Sequence, residues 1–283
     1  MSLFVNTNIN SLIAQRSLNS STNSMQTAIK RLSTGLRVNQ AGDDAAGLCV
    51  AQGLDTQIRG NKRAMLNIQD GLNMMYIAEG GMSGVTEDLQ RIRELCIQAA
   101  NGVYSVDQQG TLFNEVQERI KDIDVIANTT IFNGLELANG KAAATKNIVL
   151  QAGCGTNEAD NTIDVTSALT DMNVSSLSVA CALTGTSTSA DIRAYIDKLD
   201  AAINKISVSR SKLGAYQNRL QSAANNLTVM NENYQQSKSQ IMDCDMAEES
   251  ANMVKYQVLQ QTSAAMLSQA NQIPSIALQL LGQ

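Results

Sequence analysis

The chain has 283 residues and a formal net charge of −5, with no His, no Trp, three Phe and one Pro. Without imidazole it lacks the commonest general base and the commonest metal ligand, and it has no basic block to neutralise phosphates, so enzymatic, metal-bound and nucleic-acid functions are disfavoured and no cofactor is expected. Apolar residues that are almost all aliphatic suit thin helix-on-helix seams better than a thick aromatic core, and a chain whose one Pro is Pro274 can carry very long helices.

The opening Met1-Ser2-Leu3-Phe4-Val5-Asn6 has neither a basic nor a continuous apolar region, so no Sec-type signal peptide is predicted, and no run approaches a membrane span. Taken alone, these facts predict a cytosolic chain with no membrane insertion. Over residues 6–37, Leu18, Met25, Ile29, Leu32 and Leu36 follow at steps of seven, four, three and four, the apolar stripe of one helix. Gly35 and Ala41-Gly42-Asp43-Asp44 interrupt it, with Asp43 or Asp44 a candidate N-cap for the next helix. A second stripe, Met65, Ile68, Leu72, Met75, Ala78, Met82, Val85, Leu89, Ile92 and Cys96, predicts a long helix with weak points at Gly80, Gly81 and Gly84. After a break at Asn101-Gly102, a third helix carries Leu112, Val116, Ile120 and Ile123.

Asn133-Gly134 between two β-favouring runs predicts a hairpin with a type I′ turn. Residues 138–190, rich in small and polar residues, are expected to form a small β-containing insert with strands near Ile148–Leu150 and Thr162–Val165 and no helix of length. The last part repeats strictly. Every seventh residue from Ile192 is apolar or aromatic: Ile192, Leu199, Ile206, Leu213, Leu220, Leu227, Tyr234, Ile241. That period indicates a left-handed coiled-coil seam. Ile196, Ile203, Arg210 and Gln217 are the expected intervening positions, the last two polar. A helix over 192–241 would extend about 75 Å, too long for a sphere. A final series, Met246, Met253, Leu259, Met266, Ile273 and Leu280, ends the chain. The fold class is therefore mainly α: an elongated, hairpin-shaped rod of long coiled-coil-like helices with a small β-hairpin region in the middle. The terminal stripes need each other or other subunits to be covered.

The five cysteines form no CxxC pair; Cys49, Cys96 and Cys244 are expected to pack as small hydrophobes in the helices, and Cys154 and Cys181 to lie in the exposed insert. The acidic pairs Asp43-Asp44, Asp122/Asp124 and Glu248-Glu249 read as solvated or capping groups. Arg91, Leu95 and Gln98 lie on successive turns of one helix and Glu115 on its antiparallel neighbour, a partly polar face suited to packing against another rod.

Several long motifs stand in order at both ends: Asn6-Thr7-Asn8-Ile9-Asn10-Ser11-Leu12, Leu32-Ser33-Thr34-Gly35-Leu36-Arg37, Ala41-Gly42-Asp43-Asp44-Ala45-Ala46-Gly47-Leu48 and Gln90-Arg91-Ile92-Arg93-Glu94-Leu95, then the stretches 210–220, 239–249 and 265–274. Over roughly 1–137 and 190–283 the chain resembles bacterial flagellin. The resemblance implies a structural subunit that self-polymerises into the flagellar filament for motility. Residues 1–42 and 243–283 would form the inner filament layer and 43–242 a rod-like second layer, with a short insert at about 133–190 in place of large outer domains. Polymerisation would run along Leu18, Met25, Ile29, Leu32, Leu36, Leu213, Leu220, Leu227, Met253, Leu259 and Met266. It further implies unfolded export through the flagellar type III apparatus, which reverses the cytosolic reading and places the protein in an extracellular or periplasmic flagellum. Implied partners are further copies of the chain, an export chaperone on the C-terminal region, and filament cap and hook-junction proteins. Gln90, Arg91, Leu95, Gln98 and Glu115 would match the surface by which Toll-like receptor 5 recognises flagellin monomers. Five cysteines depart from the family's habit. A zinc peptidase insert, found in some relatives, would need histidines that this chain lacks. A hook–filament junction protein, or a secreted coiled-coil adhesin or effector, is the alternative.

Overall fold

The computed structural model describes residues 7–140 and 147–281, with 273–281 described through their backbone alone. Ile273 and Leu280 of the final apolar series therefore have side chains outside the described residues. Long helices dominate: α1 (Ile9–Thr34), α2 (Ala45–Ala99), α3 (Val106–Thr129) and, after the insert, Ser189–Met242 and Met246–Leu281. Their ends follow local chemistry. Asn8 caps α1 by accepting from Ser11 N at 3.1 Å, and Gly35, at φ +70°, closes it. Asp44 starts α2 by accepting from Gly47 N at 2.8 Å. Ser105 and Gln108 form a reciprocal capping box at the start of α3.

The hairpin pairs β1 (Ile131–Phe132) with β2 (Leu135–Glu136) across Asn133 and Gly134, whose φ values of 47° and 80° are the left-handed pair that a type I′ turn requires. In the insert, β3 (Val149–Gln151) pairs antiparallel with β4 (Thr162–Asp164), with the short helix α4 (Glu158–Asn161) between them and α5 (Val174–Leu177) beyond. The two long helices that close the chain are α6 (Ser189–Met242) and α7 (Met246–Leu281).

Contacts divide the chain into two units, Met1–Gln57 with Asn233–Gln283, and Ile58–Glu232. In the terminal unit α1 and α7 run antiparallel. Asn8 donates to the Ala270 carbonyl at 2.7 Å, Gln260 to Thr22 at 3.2 Å, and Arg31 faces Glu249 at 3.7 Å. The segments joining the helices are tied by main chain: Arg37 N donates to Met242 O at 2.7 Å and Cys244 N to Gly35 O at 2.9 Å. Asp43 accepts from Asn39 N and Gln40 N, which together with nearby Lys30 and Arg31 holds its carboxyl below the usual range.

In the second unit α2 lies between two antiparallel neighbours. Ion pairs Asp88–Arg119 (3.2 Å) and Arg91–Glu115 (3.1 Å) join it to α3, and Arg93–Asp200 (2.6 Å) joins it to α6. The predicted α2 stripe is the core: Ile68, Met82, Val85, Leu89, Ile92 and Cys96 are fully closed to solvent. Gly80, Gly81 and Gly84 leave the helix unbroken. A Cβ on Gly81 would lie 2.5 Å from Thr130 Oγ1, so its bare backbone lets the hairpin approach. The insert does more than the sequence predicts, because Ile163, Val165, Ala168, Met172 and Val179 enter the same core.

The cysteine expectations need correction. Cys96 is buried, but Cys49 is exposed on the first turns of α2 and Cys244 is half-buried at the bend before α7. Cys154 is exposed as expected, whereas Cys181 is half-buried against the core. Burial pushes the Cys96 thiol up to about 12.

Candidate assembly surfaces

Along α6, Ile192, Leu199, Ile206, Leu213 and Leu220 are closed to solvent and Leu227 is 7% exposed. Tyr234 and Ile241 are half-buried. The expected intervening positions shift by one residue. Tyr195, Ala202 and Ser209 are buried, while Ile196, Ile203, Arg210 and Gln217 are only partly covered. The reason is polar: Glu79 of α2 sits beside the seam, accepting from Gln217 at 2.9 Å and facing Arg210 at 4.0 Å, so both side chains turn to the rim. Alternating steps of three and four make 195 and 196 equally eligible from spacing alone. Tyr195 takes the interior because its hydroxyl reaches the Val179 carbonyl at 2.6 Å, and burial raises its pKa.

The terminal unit is built differently. Leu18, Met25, Leu32, Leu36 and Met253 are half-buried. Ile29 (47% exposed), Leu259 (41%) and Met266 (64%) are open to solvent, with Ile9, Leu12, Ile13, Val254 and Val258 beside them in the exposed set. A cleft of about 500 Å³ between α1 and α7 is lined by Ile13, Ala14, Ser17, Met266 and Ala270 among others. Its polar edge carries a device that sequence reasoning overlooks. Pro274 has no N–H for the Ala270 carbonyl four residues earlier, and the Asn8 amide supplies that bond from α1. The signal was present, as an N-cap asparagine at one end and a helix-interior proline at the other, but nothing in one sequence pairs them.

On α2 the exposed Arg91 bridges Glu94 at 3.3 Å and the partly exposed Glu115 of α3 at 3.1 Å; Gln90 is exposed beside it, and the exposed Gln98 donates to the Tyr104 hydroxyl at 3.1 Å. Leu95, expected on that face, is 1% exposed and points into the core. Among the described residues no three His, Cys, Asp or Glu side chains cluster to hold a metal, and no helix is long and apolar enough to cross a membrane.

Paired terminal helices with an uncovered apolar face, joined to an internally covered seam, suit a subunit that is completed by its neighbours. Residues 5–143 match the bacterial flagellin N-terminal helical region and residues 196–281 the bacterial flagellin C-terminal helical region. The chain belongs to the bacterial flagellin family. It is 37% identical to the flagellin of Halalkalibacterium halodurans over 99% of its own length and all of that protein's. It is 36% identical to the flagellar filament 33 kDa core protein of Treponema phagedenis, over 99% and 100% of the two chains. Among solved structures, Bacillus cereus flagellin is similar with a TM-score of 0.48 and 28% identity, over 57% of this chain and 88% of that one. The protein is thus a structural subunit of the flagellar filament that self-polymerises and serves motility, not an enzyme.

Proposed function

We propose that the terminal unit is the part of this subunit completed by other copies in the filament. Residues 1–42 and 243–283 supply the inner layer, 43–242 the layer outside it, and the short insert at about 133–190 replaces outer domains. One observation carries the reading: α1 and α7 pair with each other yet leave Leu12, Ile13, Val258 and Met266 more than half exposed. Aliphatic surface of that kind gains roughly 25 cal/mol for each Å² a neighbour covers. Leu18, Met25, Ile29, Leu32, Leu36, Met253, Leu259 and Met266 line the contact, while Leu213, Leu220 and Leu227 hold the rod that carries it. Before assembly the same C-terminal face suits an export chaperone, and at the filament ends it suits cap and hook-junction proteins. Export through the type III apparatus would place the filament outside the cell; labelling of intact cells that finds it periplasmic corrects that placement alone. Hydrogen exchange on monomer and filament tests the main proposal. Amides of α1 and α7 should gain at least a hundredfold protection on assembly, and 192–220 little. Equal protection in both states would overturn it.

A second reading concerns recognition of the monomer by Toll-like receptor 5. The Arg91–Glu115 pair, with exposed Gln90 next to Arg91 and exposed Gln98 seven residues further along α2, is a pre-positioned polar patch on two packed helices. Leu95 supports the patch from beneath through its burial. Arg91→Ala with Glu115→Ala should reduce receptor signalling by monomer about tenfold, which corresponds to about 1.4 kcal/mol, without changing helix content. Unchanged signalling would remove the receptor reading and leave the filament role intact.

A further inference from the structure

Asn61 of α2 and Asn231 of α6 stand inside the helical seam of the unit 58–232, at 0% and 7% exposure. Neither amide atom of Asn61 and not the Oδ1 of Asn231 has a hydrogen-bond partner in the structure. A cleft of about 630 Å³, bordered by Cys154, Arg219 and Asn226, adjoins Asn61, yet neither of its amide atoms reaches that solvent. The two asparagines lie at the same height. Arg93 bonds Asp200, and Thr228 donates to the Met65 sulfur, so a step of 28 residues back along α2 matches 28 forward along α6. Four further residues bring Asn61 level with Glu232, adjacent to Asn231.

Asn61 Nδ2 is an open donor and Asn231 Oδ1 an open acceptor; we propose that, by a side-chain rotation, the two amides bond to each other in a polar layer that fixes the register of α2 against α6. The aliphatic layers of the seam cannot fix it well. On α2 the buried residues Ile68, Met75, Met82, Leu89 and Cys96 recur every seven positions, and Asn61 occupies the next place in that series. On α6 Ile192 through Leu227 recur with the same period. A slip of one heptad, about 10 Å along the axis, exchanges one aliphatic layer for another and changes their packing little. It separates the two asparagines and buries each amide against aliphatic side chains, where an unpartnered polar group is most costly. The rim links Arg93–Asp200, Arg210–Glu79 with its neighbour Gln217, and Lys238–Asp55 also break, but the ion-paired side chains are 28% to 46% exposed, and pairs open to water discriminate weakly. A buried asparagine of this kind sets alignment at the expense of stability. The device thereby holds α2 and α6 at one alignment in every subunit.

The test uses the full-length monomer with Asn61→Leu, Asn231→Leu and both together. In a double-mutant cycle the two sites should be coupled by at least tenfold in the unfolding equilibrium constant, with the double variant at least as stable as the parent. Distances are then measured between spin labels carried by non-thiol unnatural residues at the exposed Gln69 and Asn225, leaving the native cysteines untouched. The parent should give one narrow distance, and the double variant a second population displaced by about 10 Å. Additive single-site effects would show that the amides do not pair. Coupling with a single unchanged distance in the double variant would show that they do not set register. Either result overturns the proposal.

Discussion

Between 58 and 232 one face of α6 is closed to solvent from Ile192 through Leu220 by α2 and the insert. In the terminal unit the buried apolar side chains, among the described residues, are Ala28, Val38, Ala51 and Ala270. Both regions carry apolar residues at helical spacing, and the sequence treats them alike. The difference lies in the number of neighbours. α2 is covered from two sides, by α3 and α6, and the insert adds Val165 and Met172 above the same core. α1 has α7, and one helix covers only one stripe of another, so the small Ala28 and Ala270 are closed to solvent while leucine, isoleucine and methionine stay half-buried or exposed. A stripe of helical period marks a surface that something covers; the rest of the chain decides whether that cover is internal.

The largest effect expected from this contrast is a charge at Leu220, which is fully closed to solvent. Leu220→Asp places a carboxylate in the seam with no partner, at a cost of about 4 kcal/mol. The melting temperature of the monomer should fall by about 10 °C, and filaments should not form. Thr186→Ala, at an exposed position of the insert, is the control and should leave both unchanged. If Leu220→Asp melts and polymerises like the parent, the unit 58–232 is not self-sufficient and the contrast fails.

Much of this was legible beforehand, for a physical reason. Heptads from Ile192, the α2 stripe and the Asn133-Gly134 turn are strong local signals, and local periodicity dictates which face is buried. What escaped depended on partners distant in sequence. Leu95 is one turn from Arg91, but it stands between Ile92 and Cys96 of the α2 stripe and joins them in the core, so packing won over the expected exposure. Ile196 yielded the interior to Tyr195 because of Val179, sixteen residues before that tyrosine. Cys49 looked like a core residue, yet the first turns of α2 lie in the thinly covered unit, where few side chains are buried. Glu79 explains two polar interruptions of α6 from more than a hundred residues away.

The smallest effect tests the same contrast at a single hydrogen bond. In a thin two-helix unit, polar links between the helices carry a larger share of the alignment than they would inside a broad core. Asn8 holds two roles: its Oδ1 caps α1 through Ser11 N, and its Nδ2 satisfies the Ala270 carbonyl that Pro274 leaves without a helical donor. Asn8→Ala should therefore cost about 2 kcal/mol in the local stability of α1, about half from the cap and about half from the orphaned carbonyl. Pro274→Ala restores an N–H to the helical ladder, so in that background the second half disappears and the same substitution should cost about 1 kcal/mol. Amide exchange of residues 12–22 in filaments, where the terminal helices are held, reads both numbers. An equal cost in the two backgrounds would mean that the Asn8–Ala270 contact follows from the pairing of α1 and α7 without supporting it. A smaller cost in the Pro274→Ala background ties the one proline of the chain to its first described asparagine, and makes that bond a fixed point in the alignment of α1 against α7.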